Sequence, residues 1–247
     1  MSKYIILGII QGLTEFFPVS SSGHLVIMQR LLGESGQEIA LSAVLHLGTI
    51  CALILFFFKD ILGVFKNIKL LFLILIVTII TGIIGVSGKD FFESLFSSPK
   101  LVALALVITG AILLLTQKIR EPKRDTVDFK DALFLGIMQG IAIIPGISRS
   151  GITISTLLFR KVNRETAFKF SFLASIPAIL GANFLEARKI EFALRTGFSN
   201  FFAGFLSSLV TGIIALWVLK IILRKAKFHY FGYYCIFIAI ITLLFIT

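Results

Sequence analysis

Of the 247 residues, 57% are hydrophobic and 26 are Phe, with a mean hydropathy of +1.00; soluble domains are roughly 45–50% apolar, so the composition excludes one and predicts an all-α polytopic membrane protein. The formal net charge of +11 comes from 24 Lys and Arg against 13 Asp and Glu, but the basic residues flank apolar segments, where membrane topology places them, and no nucleic-acid partner is expected. Cys51 and Cys235 each lie inside an apolar run and read as small buried hydrophobes, not as a disulfide framework or a metal cluster.

The chain starts MSKYIILGIIQG with no small-residue cleavage site, so no signal peptide is expected. Tyr4 to Phe17 is an apolar stretch of 14 residues. At about 1.5 Å per residue it falls short of a hydrocarbon core roughly 30 Å thick. Pro18 and the run Ser20 to Gly23 interrupt it, and a short helix starting near Ser22 is expected to continue to Leu32. This reads as a re-entrant helical hairpin. Three full spans follow, at about Ile39 to Phe58, Leu70 to Val86 and Leu101 to Thr116. The polar segment Gln117 to Asp131, QKIREPKRDTVDFKD, separates them from a second hairpin: Asp131 to Ile144, a break at Pro145 to Gly151, and Ile152 to Phe159. Three more spans complete the chain, at about Ala167 to Leu185, Phe198 to Leu219 and Phe231 to Ile246.

Leu7 to Gly23 aligns without a gap on Leu135 to Gly151, an offset of 128 residues, matching Gly8/Gly136, Gln11/Gln139, Gly12/Gly140, Ser20/Ser148, Ser22/Ser150 and Gly23/Gly151. The chain therefore reads as one integral membrane domain, 1–247, built of two repeats, about 1–117 and 131–247, with a linker at 118–130. A hairpin that returns to its own side, followed by three spans, leaves the chain on the opposite side. The repeat is then of inverted topology, with six transmembrane helices and two re-entrant hairpins. Fifteen Lys and Arg residues fall on one face and seven on the other; the excess belongs inside, so the linker is expected in the cytoplasm and both termini outside. Non-helical backbone at membrane depth survives only where protein buries it or where it lines a wet cavity, so the two breaks are expected to share one cavity.

The copies differ where chemistry is concerned: the first alone has Glu15 and His24, the second alone Arg149. Ionisable groups at this depth cost roughly 2.5–3.5 kcal/mol on insertion scales and mark a functional site. A bare ion pair between halves would not need the serines and glycines that surround these groups. Arg149 lies in PGISRSG just before a helix start, whose free N–H groups and positive dipole end suit a phosphate, and its planar fork matches phosphate oxygens. Gly146 and Gly151 let the backbone approach such a ligand, and Ser148, Ser150 and Thr153 add hydroxyl donors; for Ser150 and Thr153 helix capping explains the residue equally well. Glu15 follows Gln11 by four residues, on the same helix face. The two could hold a divalent cation, Mg²⁺ or Ca²⁺, through oxygen ligands, or Glu15 could be a general base. His24 lies within reach of the break as acid, base or nucleophile. Ser21 is the candidate nucleophile, with Ser20 and Ser22 as phosphate donors. His46 and His229 have weaker cases, Asn183 and Glu186 read as interfacial, and Trp217, Tyr230, Tyr233 and Tyr234 read as interfacial anchors.

QGLTEFFPVSSSGH and PGISRSG, present in order, resemble the two signatures of the undecaprenyl-pyrophosphate phosphatase family, also called bacitracin-resistance proteins: (E/Q)xxxE with a following serine-rich GH, and PGxSRSG. Gln11, Glu15, Ser21, His24, Ser148 and Arg149 stand at matching positions, with Gln11 where some members carry Glu. The resemblance implies hydrolysis of undecaprenyl pyrophosphate to the monophosphate carrier recycled in peptidoglycan synthesis, and raised bacitracin tolerance. It also implies a divalent-cation requirement and a multi-pass protein of the bacterial cytoplasmic (inner) membrane whose active site opens to the outer face. The partners expected are the polyprenyl pyrophosphate lipid and membrane lipids, with oligomeric state left open, a homodimer included. Inverted repeats with broken helices are also the layout of carriers, so a transporter or flippase of an anionic lipid is the rival reading. Whether Ser21, His24 or a water attacks is open at this level.

Overall fold

The computed structural model describes residues 1–32, 38–96, 98–119, 124–185 and 187–245, with the side chains of 28–40 and 185–197 outside the description. The basic residues Arg30, Arg120, Lys123, Arg188, Lys189 and Arg195, together with Glu186, Ile246 and part of the linker, therefore lie outside the described residues or side chains.

Twelve α-helices run in the order α1 (Ser2–Phe16), α2 (Ser21–Leu32), α3 (Glu38–Phe56), α4 (Phe58–Lys66), α5 (Ile68–Ser87), α6 (Lys89–Leu95), α7 (Pro99–Leu115), α8 (Phe129–Ile141), α9 (Arg149–Phe159), α10 (Arg164–Leu185), α11 (Ala187–Arg224) and α12 (Tyr230–Phe245). Among the described residues, helices cover most of each expected span and of both halves of each expected hairpin. Among the described residues four helices are long and apolar enough to cross a membrane, Ile68–Ser87, Pro99–Lys118, Arg164–Phe184 and Phe198–Arg224, or five if a bent pair counts as one span. The expected span Ile39 to Phe58 instead breaks at Phe57, where α3 and α4 meet at 68°. Neither Pro nor Gly marks this kink. Its physical setting is an aromatic cluster in which Phe57 lies 5.5 Å from Phe168 and 5.9 Å from Phe172, with Phe16 5.7 Å from Phe172. α12 is apolar but only 16 residues long.

Small residues decide how the two hairpins dock. Gly8 lies against Gly204 and Ser207, and Gly12 against Ser208 and Gly212; α1 and α11 thus run in the same direction, at a distance that a side chain on Gly12 would not permit. In the other copy Gly136 lies against Ile80 and Gly140 against Ile84, so α8 and α5 also run in the same direction. Leu45 meets Gly204 and Ala52 meets Gly212, making α3 parallel to α11 as well. Gly110 against Cys235 and Ile236, with Leu114 against Gly232, makes α7 and α12 antiparallel.

The outer faces are apolar. Along α5, Phe72, Ile79 and Ile83 are exposed, a surface that water would not tolerate and that lipid solvates at no cost. The base of the second hairpin is closed by charge. Asp131, fully buried, takes two 2.9 Å hydrogen bonds from Arg124 and another from Arg160. It also forms a capping box with Asp128, the N-cap of α8.

Candidate active site

Each hairpin turns through one residue with positive φ. In the first it is Ser20, at φ 68°, a conformation costing a non-glycine residue roughly 1–2 kcal/mol. Hydrogen bonds hold it there. Its carbonyl accepts from the His24 backbone N–H at 3.2 Å and from the ring at 2.8 Å. Its hydroxyl accepts from Gly23 at 3.4 Å and, across the two hairpins, from the Gly146 N–H at 3.1 Å. Gly146 is the second such residue, at φ 95°, and any side chain on it would collide with the Val102 carbonyl. Thr109 of α7 pins this second turn by donating to the Gly146 carbonyl at 2.9 Å and accepting from the Ser148 N–H at 3.1 Å. The breaks therefore touch.

At this junction Glu15, its side chain 2% exposed, receives groups from both halves. Oε1 accepts from the Arg149 guanidinium. Oε2 accepts from Ser21 Oγ at 2.6 Å and Gln11 Nε2 at 3.1 Å, and lies 3.6 Å from His46 Nε2. Arg149 is the first residue of α9, not a residue of the loop before it. The N-cap is Ser148, whose hydroxyl accepts from Gly151 N–H at 3.2 Å, so capping falls to this serine and not to Ser150 or Thr153. Ser150 lies 3.3 Å from Ser148 Oγ, while Thr153 donates to the Arg149 carbonyl and meets Ser171, each at 2.6 Å. Ser22 meets Ser20 at 3.2 Å.

His24 sits beside this cluster but does not touch Ser21 through any described hydrogen bond. Because the Ser20 carbonyl can only accept, ring Nδ1 carries the proton. The neutral ring then accepts at Nε2 from the Tyr234 hydroxyl, 2.9 Å away. The two rings are nearly parallel, 5.7 Å between centroids. Tyr234, read from sequence as an interfacial anchor, is thus a partner of His24 delivered by α12. His46, an imidazole inside LSAVLHLGTICAL, satisfies the same rule that singles out Glu15. Thr109 carried no signal at all, since hydroxyls in apolar helices ordinarily bond their own backbone.

The matched glutamines diverge. Gln139 donates to Thr81 at 3.2 Å, whereas Gln11 donates to Glu15; among the described residues the buried Oε1 of each has no hydrogen-bond partner, but only that of Gln11 lies on a residue bonded to a carboxylate. That orphaned oxygen beside a carboxylate fits a hard cation. Among the described residues no group of three His, Cys, Asp or Glu could hold a metal by itself. One carboxylate and one amide oxygen suit Mg²⁺, which takes few protein ligands and completes its shell with phosphate and water. Ca²⁺ needs six to eight oxygens and fits less well.

A family profile described as bacitracin resistance protein BacA matches residues 4–241. Proteins named undecaprenyl-diphosphatase are similar over nearly the whole chain. That of Carboxydothermus hydrogenoformans is 42% identical over 93% of this chain and 91% of its own length. The Halothermothrix orenii protein is 42% identical over 98% and 96%, and the Thermotoga petrophila protein 42% identical over 97% and 98%. With both signatures meeting at one buried carboxylate and the match running almost end to end, the chain belongs to the bacitracin resistance protein BacA family.

Proposed function

We propose that this chain hydrolyses undecaprenyl pyrophosphate to undecaprenyl phosphate and inorganic phosphate, with Glu15, Ser21 and Arg149 as its reaction centre. The observation that carries this reading is the convergence on one buried carboxylate of a hydroxyl from α2 and a guanidinium from the start of α9. A pyrophosphate arriving at the α9 N-terminus meets free N–H groups, the positive end of the helix dipole and the Arg149 fork. It competes with Glu15 for Arg149. Released from that pair, Glu15 becomes a stronger base toward Ser21, whose hydroxyl already points at Oε2. Ser21 Oγ attacks the terminal phosphorus as its proton passes to Glu15; the bond to the bridging oxygen breaks, and undecaprenyl phosphate departs. Glu15 passes that proton to the departing phosphate. Water then attacks the phosphoserine phosphorus and gives a proton to Glu15, which hands it to Ser21 Oγ as the serine–phosphate bond breaks and inorganic phosphate leaves. Arg149 stabilises the charge that develops in both steps. Ser20, Ser22, Ser148, Ser150, Gly146, Gly151 and Thr153 shape the cradle, and His24 holds its Ser20 corner.

A divalent cation would be held by Gln11 and Glu15 together with phosphate oxygens, and would neutralise charge on the pyrophosphate. The helix directions support the inverted arrangement, because α1 parallel to α11, α8 parallel to α5 and α7 antiparallel to α12 are what two oppositely inserted halves require. With the positive excess inside, the protein sits in the cytoplasmic membrane, its termini and active site facing outward and its lipid tail along the exposed apolar helix faces. The site is complete within one chain, so a homodimer is not needed to build it.

Phosphate release from undecaprenyl pyrophosphate by the detergent-purified protein tests the reading. No gradient exists in detergent, so a pure carrier would release none. Arg149→Lys should lower kcat/KM by about two orders of magnitude or more, as for other lost charge-stabilising donors; near-wild-type release by that variant would remove Arg149 from the mechanism.

A further inference from the structure

We infer that His46, on α3, is a positioning residue for the reaction centre, holding Glu15 toward Ser21 after Arg149 has turned to the substrate. The inference rests on Glu15 being the base proposed above. Arg149 cannot keep its grip on Oε1 and present its fork to a phosphate at the same time. Once it leaves, the carboxylate loses its strongest partner in a site where Glu15 is almost wholly buried. Among the described contacts, the other basic group on Glu15 is His46, 3.6 Å from Oε2, the same oxygen that Ser21 binds. That separation is just beyond hydrogen-bond length, and a shift of a few tenths of an ångström by the released carboxylate closes it.

The ring is anchored from behind. Its Nδ1 lies 2.8 Å from the Ser42 carbonyl and 3.4 Å from the Ser42 hydroxyl, one turn earlier on α3. α3 is itself fixed beside this point, because Ser208 of α11 donates to the Leu45 carbonyl at 3.0 Å and Gly48 packs on the same serine. On the other neighbouring helices, Asp60 of α4 and Lys169 of α10 form a described pair, 3.3 Å apart. α1 offers Glu15 to the ring, and Arg149 of α9 stands on the far side of that carboxylate. Because Nδ1 donates to the Ser42 carbonyl, Nε2 carries a proton only in the imidazolium, so what His46 supplies is a cationic donor on a rigid arm, aimed at the oxygen that does the work.

The test replaces the ring in the full-length, detergent-purified protein and measures phosphate release from undecaprenyl pyrophosphate. His46→Leu keeps bulk and removes the donor. It should lower kcat about tenfold to hundredfold, the cost of a small misplacement of a reacting group, while KM stays within about threefold, since Glu15 acts in the chemical step. His46→Gln restores an N–H donor and should recover kcat to within about threefold of wild type. Should the Leu variant not fold, His46→Met asks the same question. Wild-type kcat in either apolar variant overturns the inference, as does a Gln variant no better than Leu, or a loss confined to KM. Glu15→Gln separates the two levels: near-normal turnover there removes the base on which the inference rests. An inactive Glu15→Gln beside a fully active His46→Leu removes His46 alone.

Discussion

The first hairpin turns through a serine and the second through a glycine, and the two turns are secured differently. Around Ser20, at φ 68°, a hydroxyl, a carbonyl and an imidazole supply the hydrogen bonds. Around Gly146, at φ 95°, the turn is held by the backbone, by the Ser148 cap and by one threonine of α7. The consequence is a division of labour. The first break spends its side chains on presenting a base and a hydroxyl, while the second leaves a helix N-terminus and a guanidinium facing the junction. A duplicated frame has become two half-sites of opposite charge, and neither contains the other's part.

Exchanging the charges is the strongest way to break that comparison. Glu15→Arg and Arg149→Glu, made singly, should each lower kcat/KM for phosphate release by about two to three orders of magnitude. The double variant rebuilds the ion pair and should recover thermal stability but not turnover, because the carboxylate would then stand at the phosphate-binding helix end. Recovered turnover would show the half-sites to be interchangeable.

The bases of the hairpins differ too. Asp131, buried between Arg124 and Arg160, has Lys3 as its counterpart in the first copy, an exposed residue. Asp131→Ala removes the buried carboxylate shared by Arg124 and Arg160, leaving them only Asp128 among the described carboxylates, and should cost about 3 kcal/mol of unfolding free energy. Lys3→Ala, at an exposed side chain, should stay within about 1 kcal/mol. Thermal or denaturant unfolding in detergent compares them, and equal losses would mean that both hairpins are clamped alike.

The smallest expected effect is a pH dependence seated at the second hairpin. The Asp131 backbone N–H, then the Arg124 and Arg160 charges, hold the Asp128 carboxyl below its ordinary value of 3.8. A group depressed in the folded state stabilises it above the unfolded value and ceases to do so as pH falls through the lower folded value. Stability from this cap should therefore be intact above about pH 4 and fade below it. Asp128→Asn should flatten that part of the acid unfolding curve; an unchanged curve would exclude Asp128 as the source.

Much of this was open to reading from residues alone. Glu15 and Arg149 announce themselves because charge inside an apolar run is expensive, and the hairpins do so because Pro, Ser and Gly interrupt runs too short to cross. His46 was visible by the same rule but was outweighed by the apolar span around it. Tyr234 was not, since an aromatic residue near a helix end is equally at home at a lipid interface, and only its position 2.9 Å from His24 separates the two readings. The kink at Phe57 was hidden for a related reason: the rings that surround it come from α10, more than a hundred residues away.

Sequence by itself determined the membrane class, the duplication, the family resemblance and the residues able to do chemistry, because each follows from local composition or spacing. The tertiary structure decided which of those residues meet. It placed Ser21, and not His24, on Glu15, gave the α9 cap to Ser148, and brought His46 and Tyr234 in from spans that carry no motif. Hydrogen bonding and charge pairing act over about 3 Å, a scale on which helices distant in sequence become neighbours only once small residues such as Gly12 and Gly140 have let them pack.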